Sequence, residues 1–190
     1  MPDTSAVELS SLWLPILLSG VFVFIASSLL HMVFKIHNKD YSAMDGEDSI
    51  REAMRGQNIS PGLYVFPHCS SMKEMGTPEH LEKLNRGPNG FLTVVENGPP
   101  RMGKLLTLWF GFSLLISLFV AYLTSLTLDA SAASREVFRI AATIGVLGYS
   151  VSVISDSIWK SVPWPVTLKF IFDGVVYSLV TAATFAWMWP

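Results

Sequence analysis

The sequence predicts an all-α membrane protein, four transmembrane helices with a small α+β cytoplasmic insertion between helices 1 and 2. Three observations carry this. Four apolar runs, Leu12–Phe34, Leu105–Leu126, Val137–Ser155 and Val166–Trp189, each come close to the roughly 20 residues that a helix needs to cross a bilayer at about 1.5 Å per residue. Hydrophobic residues make up 51% of the 190-residue chain, gathered in blocks and not spread at the period of a soluble helix or strand. The charges fall almost wholly between the blocks. The chain thus divides into residues 1–34 (N-terminal segment and first helix), 35–104 (polar insertion) and 105–190 (helices 2 to 4).

The first run reads as a retained helix and not a signal peptide. Met1 to Ser11 holds Asp3 and Glu8 but no Lys or Arg, the run is too long, and no small-residue cleavage site follows it. Orientation follows from the flanking cations. Lys35 and Lys39 follow helix 1, Arg101 and Lys104 precede helix 2, and Lys160 joins helices 3 and 4; the opposite side has only Arg135 and Arg139. The expectation is termini outside and residues 35–104 in the cytoplasm. Trp13, Trp159, Trp164, Trp187 and Trp189 stand at run ends, where indoles favour the membrane interface. Pro163 and Pro165 break helix 3 and start helix 4 as its antiparallel neighbour.

Within the insertion, Asp45 or Asp48 caps a short helix reaching Arg55 and ended by Gly56. Leu63–Phe66 reads as a strand stopped by Pro67. Thr77 is an N-cap with Pro78 at the first helical position, Leu81 and Leu84 supply the apolar contacts of that helix, and Gly87 stops it. Phe91–Val95 is a second strand after the Asn89-Gly90 turn. So small a unit buries little core alone and is expected to pack on the helix ends or on a partner.

Helix 4 carries the most informative polar residues. Lys169, Asp173, Tyr177 and Thr181 recur at i+4 on one face. Asp173 lies nine residues past Trp164, roughly 14 Å along the helix, where a carboxylate is costly and faces a bundle interior or a wet cavity. A Lys169–Asp173 pair that fixes packing is one reading; a proton or cation site is the other. His31, Asp156, Lys169 and Asp173 all fall in the cytoplasmic half and are expected to meet, with Tyr177, as one polar cluster. A second candidate is His68, Cys69, Met72 and Met75, whose imidazole, thiol and thioethers are soft ligands suited to Cu(I), weighed against a plain loop turn. Cys69 with His68, His80 or His37 is the weakest alternative, as a nucleophile. A lone cysteine excludes an internal disulfide. Ala141, Gly145 and Gly148 on helix 3, and Gly174, Ser178 and Ala182 on helix 4, allow close helix contact.

No phosphate loop, HExxH, GxSxG or dinucleotide fingerprint is present, so neither an enzyme nor a cofactor is expected. A net charge of −2 gives no reason to expect nucleic acid as a partner. Pro61–Cys69 (PGLYVFPHC), Gly90–Val94 and Asp156–Lys160 (DSIWK) with Pro163-Trp164 resemble a family of bacterial hypothetical integral membrane proteins with no known activity. The resemblance implies residence in the bacterial inner membrane. The leading expectation is a non-enzymatic accessory subunit or assembly factor of a larger membrane complex, in contact with lipid and with other membrane subunits or a second copy. The alternatives are an ion- or proton-coupled transport component using Asp173 and Lys169, and a metal-handling protein using His68, Cys69, Met72 and Met75.

Overall fold

The computed structural model of the protein describes residues 6–190; residues 1–5, with Asp3 of the acidic N-terminal stretch, lie outside the described residues. In chain order the elements are α1 (Trp13–Ser28), α2 (Glu47–Gly56), β1 (Gly62–Phe66), α3 (Met72–Met75), α4 (Pro78–Arg86), β2 (Gly90–Val94), α5 (Met102–Thr127), α6 (Ser134–Tyr149), α7 (Ile154–Trp159) and α8 (Trp164–Met188). They form two compact units, Met1–Tyr41 with Arg101–Pro190, and Ser42–Pro100.

Four stretches of the first unit, Leu9–Phe34, Met102–Thr127, Ser134–Trp159 and Trp164–Met188, are long and apolar enough to cross a membrane. Only 28% of the most apolar window of each of the first three, and 39% of that of the fourth, is buried within the chain. What remains outside is apolar, including Leu108, Phe119, Leu147 and Phe172. A water-soluble bundle would turn a polar face outward, so this surface suits hydrocarbon. Trp13, Trp159, Trp164 and Trp187 are all exposed near the ends of these stretches.

Helix α8 packs on α6 and α1, and α5 packs on α1 and α6. At one end the core is Leu12, Val120, Val137, Ala141, Ala182 and Phe185. There Ala6 bridges to Asp129, and the Trp189 indole donates to the Asp129 carbonyl at 2.9 Å. Toward the other end lie Val23, Leu30, Tyr149 and Tyr177. The small residues read from the sequence sit where helices touch. A Cβ on Gly145 would lie 3.0 Å from the Ser178 Cβ, and one on Gly174 would lie 2.7 Å from the Tyr149 carbonyl oxygen.

The third apolar run is not one straight helix. It breaks after Tyr149 into a 3-10 turn, Val151–Val153, before α7. Ser150 at the break donates its hydroxyl to the Ile171 carbonyl of α8 at 3.2 Å. The first run also changes form, passing from α1 into a π-helical turn, Leu29–Phe34, and ending at Lys35 in the left-handed region (φ 53°). Such wide turns are uncommon and often mark functional positions.

In the second unit β1 and β2 pair antiparallel, with Gly62 opposite Val94 and Phe66 opposite Gly90. The Thr77 hydroxyl accepts from the His80 amide, with Pro78 at the start of α4 and Gly87 at its end, which is the capping expected from the sequence. Leu81 departs from expectation: it is half-exposed, and the buried side chain of α4 is His80. His80 is also the sole buried residue among those described in this unit.

Candidate functional site

The segment after the π-helical turn folds back onto α8 and belongs with the bundle. This moves the boundary of the polar insertion from residue 35 to residue 42. The reason is a chain of charges. Lys169 Nζ lies 2.5 Å from Asp40 Oδ1, Asp40 Oδ2 lies 2.5 Å from His37 Nδ1, and His37 Nε2 lies 2.8 Å from Asp173 Oδ2. His31 Nδ1 stands 3.8 Å from the same Asp173 oxygen. The side chains of Asp40 and Asp173 are 2% and 3% exposed, so each carboxylate leans on these partners.

Two of the sequence expectations are corrected here. Lys169 reaches Asp40 and not Asp173, because a long side chain one turn below Asp173 finds a carboxylate on the incoming loop. Asp156 is not in the cluster; it pairs with Lys160 at 2.7 Å, both substantially exposed, as i,i+4 neighbours on a helix end do. His31 stands beside Asp173, and Lys169 is linked to it only through Asp40 and His37. Tyr177 lies one turn past Asp173, close enough to feel its charge. Tyr177 also packs edge-on against Trp109 and Tyr149.

His37 and Asp40 are the members missed as a pair. A carboxylate oxygen stands at each ring nitrogen of His37; with both carboxyls ionised, both nitrogens donate and the ring is an imidazolium. The chain then holds two positive and two negative groups and is neutral. The ring is held further by Phe170, with centroids 4.6 Å apart, and meets His31 edge-on at 4.8 Å. A cation against an aromatic face is favourable, more so away from water. The Asp173 Oδ1 atom, in contrast, is buried without a hydrogen-bond partner among the described residues.

The Lys169 ammonium, its largest influence, and His37 hold the Asp40 carboxyl below its ordinary value of 3.8 against the opposing effect of burial. The lower value belongs to the folded state, so the stability from this group is present above about 3.8 and is lost as pH falls through the folded value. Acid unfolding in detergent, followed by tryptophan fluorescence, should therefore steepen below the ordinary carboxylate range. The Asp40→Asn variant should lack that component; an unchanged acid profile would contradict the assignment.

A cavity of about 420 Å³ opens beside Asp173. Its polar lining includes Ser27, His31, Tyr149, Asp173 and Tyr177, and Trp109, which also lines it, has a buried indole N–H with no partner among the described residues. Beyond it the bundle interior is rich in hydroxyls. Ser19, Ser113, Ser117, Thr124, Ser178, Thr181 and Thr184 are all buried. Ser19 donates across helices to Ser117 at 2.7 Å, and several others bond to carbonyls of their own helix. Thr124 and Thr181 have hydroxyls with no partner among the described residues.

The second candidate has a different character. The Cys69 thiol donates to the Ser71 carbonyl at 2.9 Å. Met72 and Met75 begin and end α3, the single turn capped by Ser71, and both are exposed. Among the described residues, three His and carboxylate side chains close enough to share an ion are His31, His37 and Asp173.

No family model matches this chain, and no curated protein or solved structure is similar to it.

Proposed function

We propose that this chain is a component of ion- or proton-coupled transport in a bacterial inner membrane, with its working centre at His31, His37, Asp40, Lys169 and Asp173. The reading takes the termini as outside and the polar insertion as cytoplasmic, which puts the centre near the cytoplasmic face. The observation that carries it is the buried Asp173 carboxylate with one oxygen unpartnered among the described residues, at the head of a hydroxyl-lined interior. An acid that served packing alone would be expected to spend both oxygens on partners. From Asp173 to Thr184 is eleven residues, roughly 16 Å of helix, so hydroxyls accompany most of the remaining span of α8.

The test is proton flux into proteoliposomes carrying a trapped pH dye under an imposed potential. Wild type is expected to give flux, Asp173→Asn to abolish it and Thr181→Val to reduce it severalfold. Equal flux in wild type and Asp173→Asn would refute the reading.

One observation favours an accessory-subunit role. Leu63, Val65, Phe66 and Phe91 of the Ser42–Pro100 unit are exposed, and a two-stranded sheet is marginal alone. This second reading expects no flux from the isolated chain, and flux or another activity only in the presence of a membrane subunit retained in mild detergent.

A further inference from the structure

We infer that His31, His37 and Asp173 form a binding site for a divalent transition-metal ion, with Asp40 and Lys169 as its supporting shell. One donor atom from each of the three residues lies within 4.8 Å of the others. Ligands bound to zinc at about 2.0–2.1 Å stand some 3.3 Å apart, so small side-chain movements close the set. Two imidazoles and a carboxylate suit Zn²⁺, Fe²⁺ or Co²⁺ better than Ca²⁺ or Mg²⁺, which take oxygen ligands. Three protein ligands leave a further position open, as in sites that bind or exchange a small molecule.

Two features distinguish this group from an ordinary ion-pair cluster. The first is Asp173 Oδ1, a buried carboxylate oxygen that makes no geometric hydrogen bond among the described residues, with the Tyr177 hydroxyl as its neighbour one turn on. The second is the order of partners around His37. Its Nε2 faces Asp173 and its Nδ1 faces Asp40, which is in turn held by Lys169. A histidine that ligates a metal through one nitrogen usually donates its other N–H to a carboxylate, which fixes the ring and strengthens the ligand. Asp40 stands in that place. His31, whose side chain is 43% exposed, is the ligand free to swing in. An ion seated here displaces the proton shared by His37 and Asp173 to water.

This inference goes beyond the transport reading and does not need it. The experiment uses the full chain in detergent, stripped with a chelator and titrated with Zn²⁺ in competition with a chromophoric chelator; the visible spectrum of Co²⁺ reports the ligand geometry. One ion per chain is expected. His31→Gln should weaken binding at least tenfold, and Asp40→Asn, nearly identical in shape, by about 10- to 100-fold. Cys69→Ser should leave it unchanged. Gel filtration of each variant in detergent checks that it remains folded. Absence of saturable one-to-one binding overturns the inference, as does binding indifferent to both His31→Gln and Asp40→Asn, or binding lost in Cys69→Ser. If the stripped protein still supports an Asp173-dependent flux while no ion binds, the metal site falls and the transport reading stands.

Discussion

Gly174→Ala should destabilise the protein by about 3 kcal/mol, at the upper end of what overpacking a well-fitted core costs. Within a helix the exchange alone would favour alanine by up to about 1 kcal/mol, so the sign of the change tests the packing directly. The added Cβ would clash with the Ser150 hydroxyl and lie 2.7 Å from the Tyr149 carbonyl oxygen and 2.8 Å from its carbon. The last two are backbone and cannot rotate away. At the break after Tyr149 the backbone lies against α8, and a Cβ on Gly174 would push the two apart next to Asp173. Gly111 on α5 has nothing within 4 Å of such a Cβ, and its alanine variant should be neutral or slightly stabilised. Thermal unfolding in detergent measures both. A stabilised Gly174→Ala would mean the helices do not meet as described.

The second large effect is expected from Asp40→Ala. Removing one member of a buried ionic group costs about 3–5 kcal/mol, because the charges left behind lose their partner. Lys169 remains one-third exposed, so water compensates in part and about 3 kcal/mol is expected. His37, only 17% exposed, bears most of the loss. Adding Lys169→Met to Asp40→Ala should recover part of the stability, since it removes one stranded charge. Denaturant titration of the single and double variants measures the coupling. If the two changes simply add, Lys169 and Asp40 do not act together.

The spans were legible in the sequence because membrane helices announce themselves by length and composition. The start of α4 was legible because Thr77-Pro78 is local chemistry, independent of tertiary contacts. Part of the centre was visible for a similar reason: Lys169 and Asp173 share one helix face with Tyr177 by spacing alone. His37 and Asp40 were not, because they lie in a polar loop after helix 1, and nothing in Lys35–Asp40 says that it doubles back to α8. The π-helical turn compounds this. It ends at Lys35 in the left-handed region, so projection along a regular helix misplaces the residues beyond that point. Asp156 was misjudged by the opposite error. A place in the same half of the bundle does not bring a residue inward when Lys160 sits within reach at the surface.

The charge arithmetic of the Lys169–Asp40–His37–Asp173 chain bears on how a membrane voltage acts here. With both carboxyls ionised and both cations protonated its four charges cancel, so an applied field does almost no net electrical work on the centre. A divalent ion that takes the place of one proton leaves a surplus of one positive charge. Moving such a charge the full way across a membrane exchanges about 2.3 kcal/mol for every 100 mV. Occupancy would then make an electrically silent assembly responsive to potential.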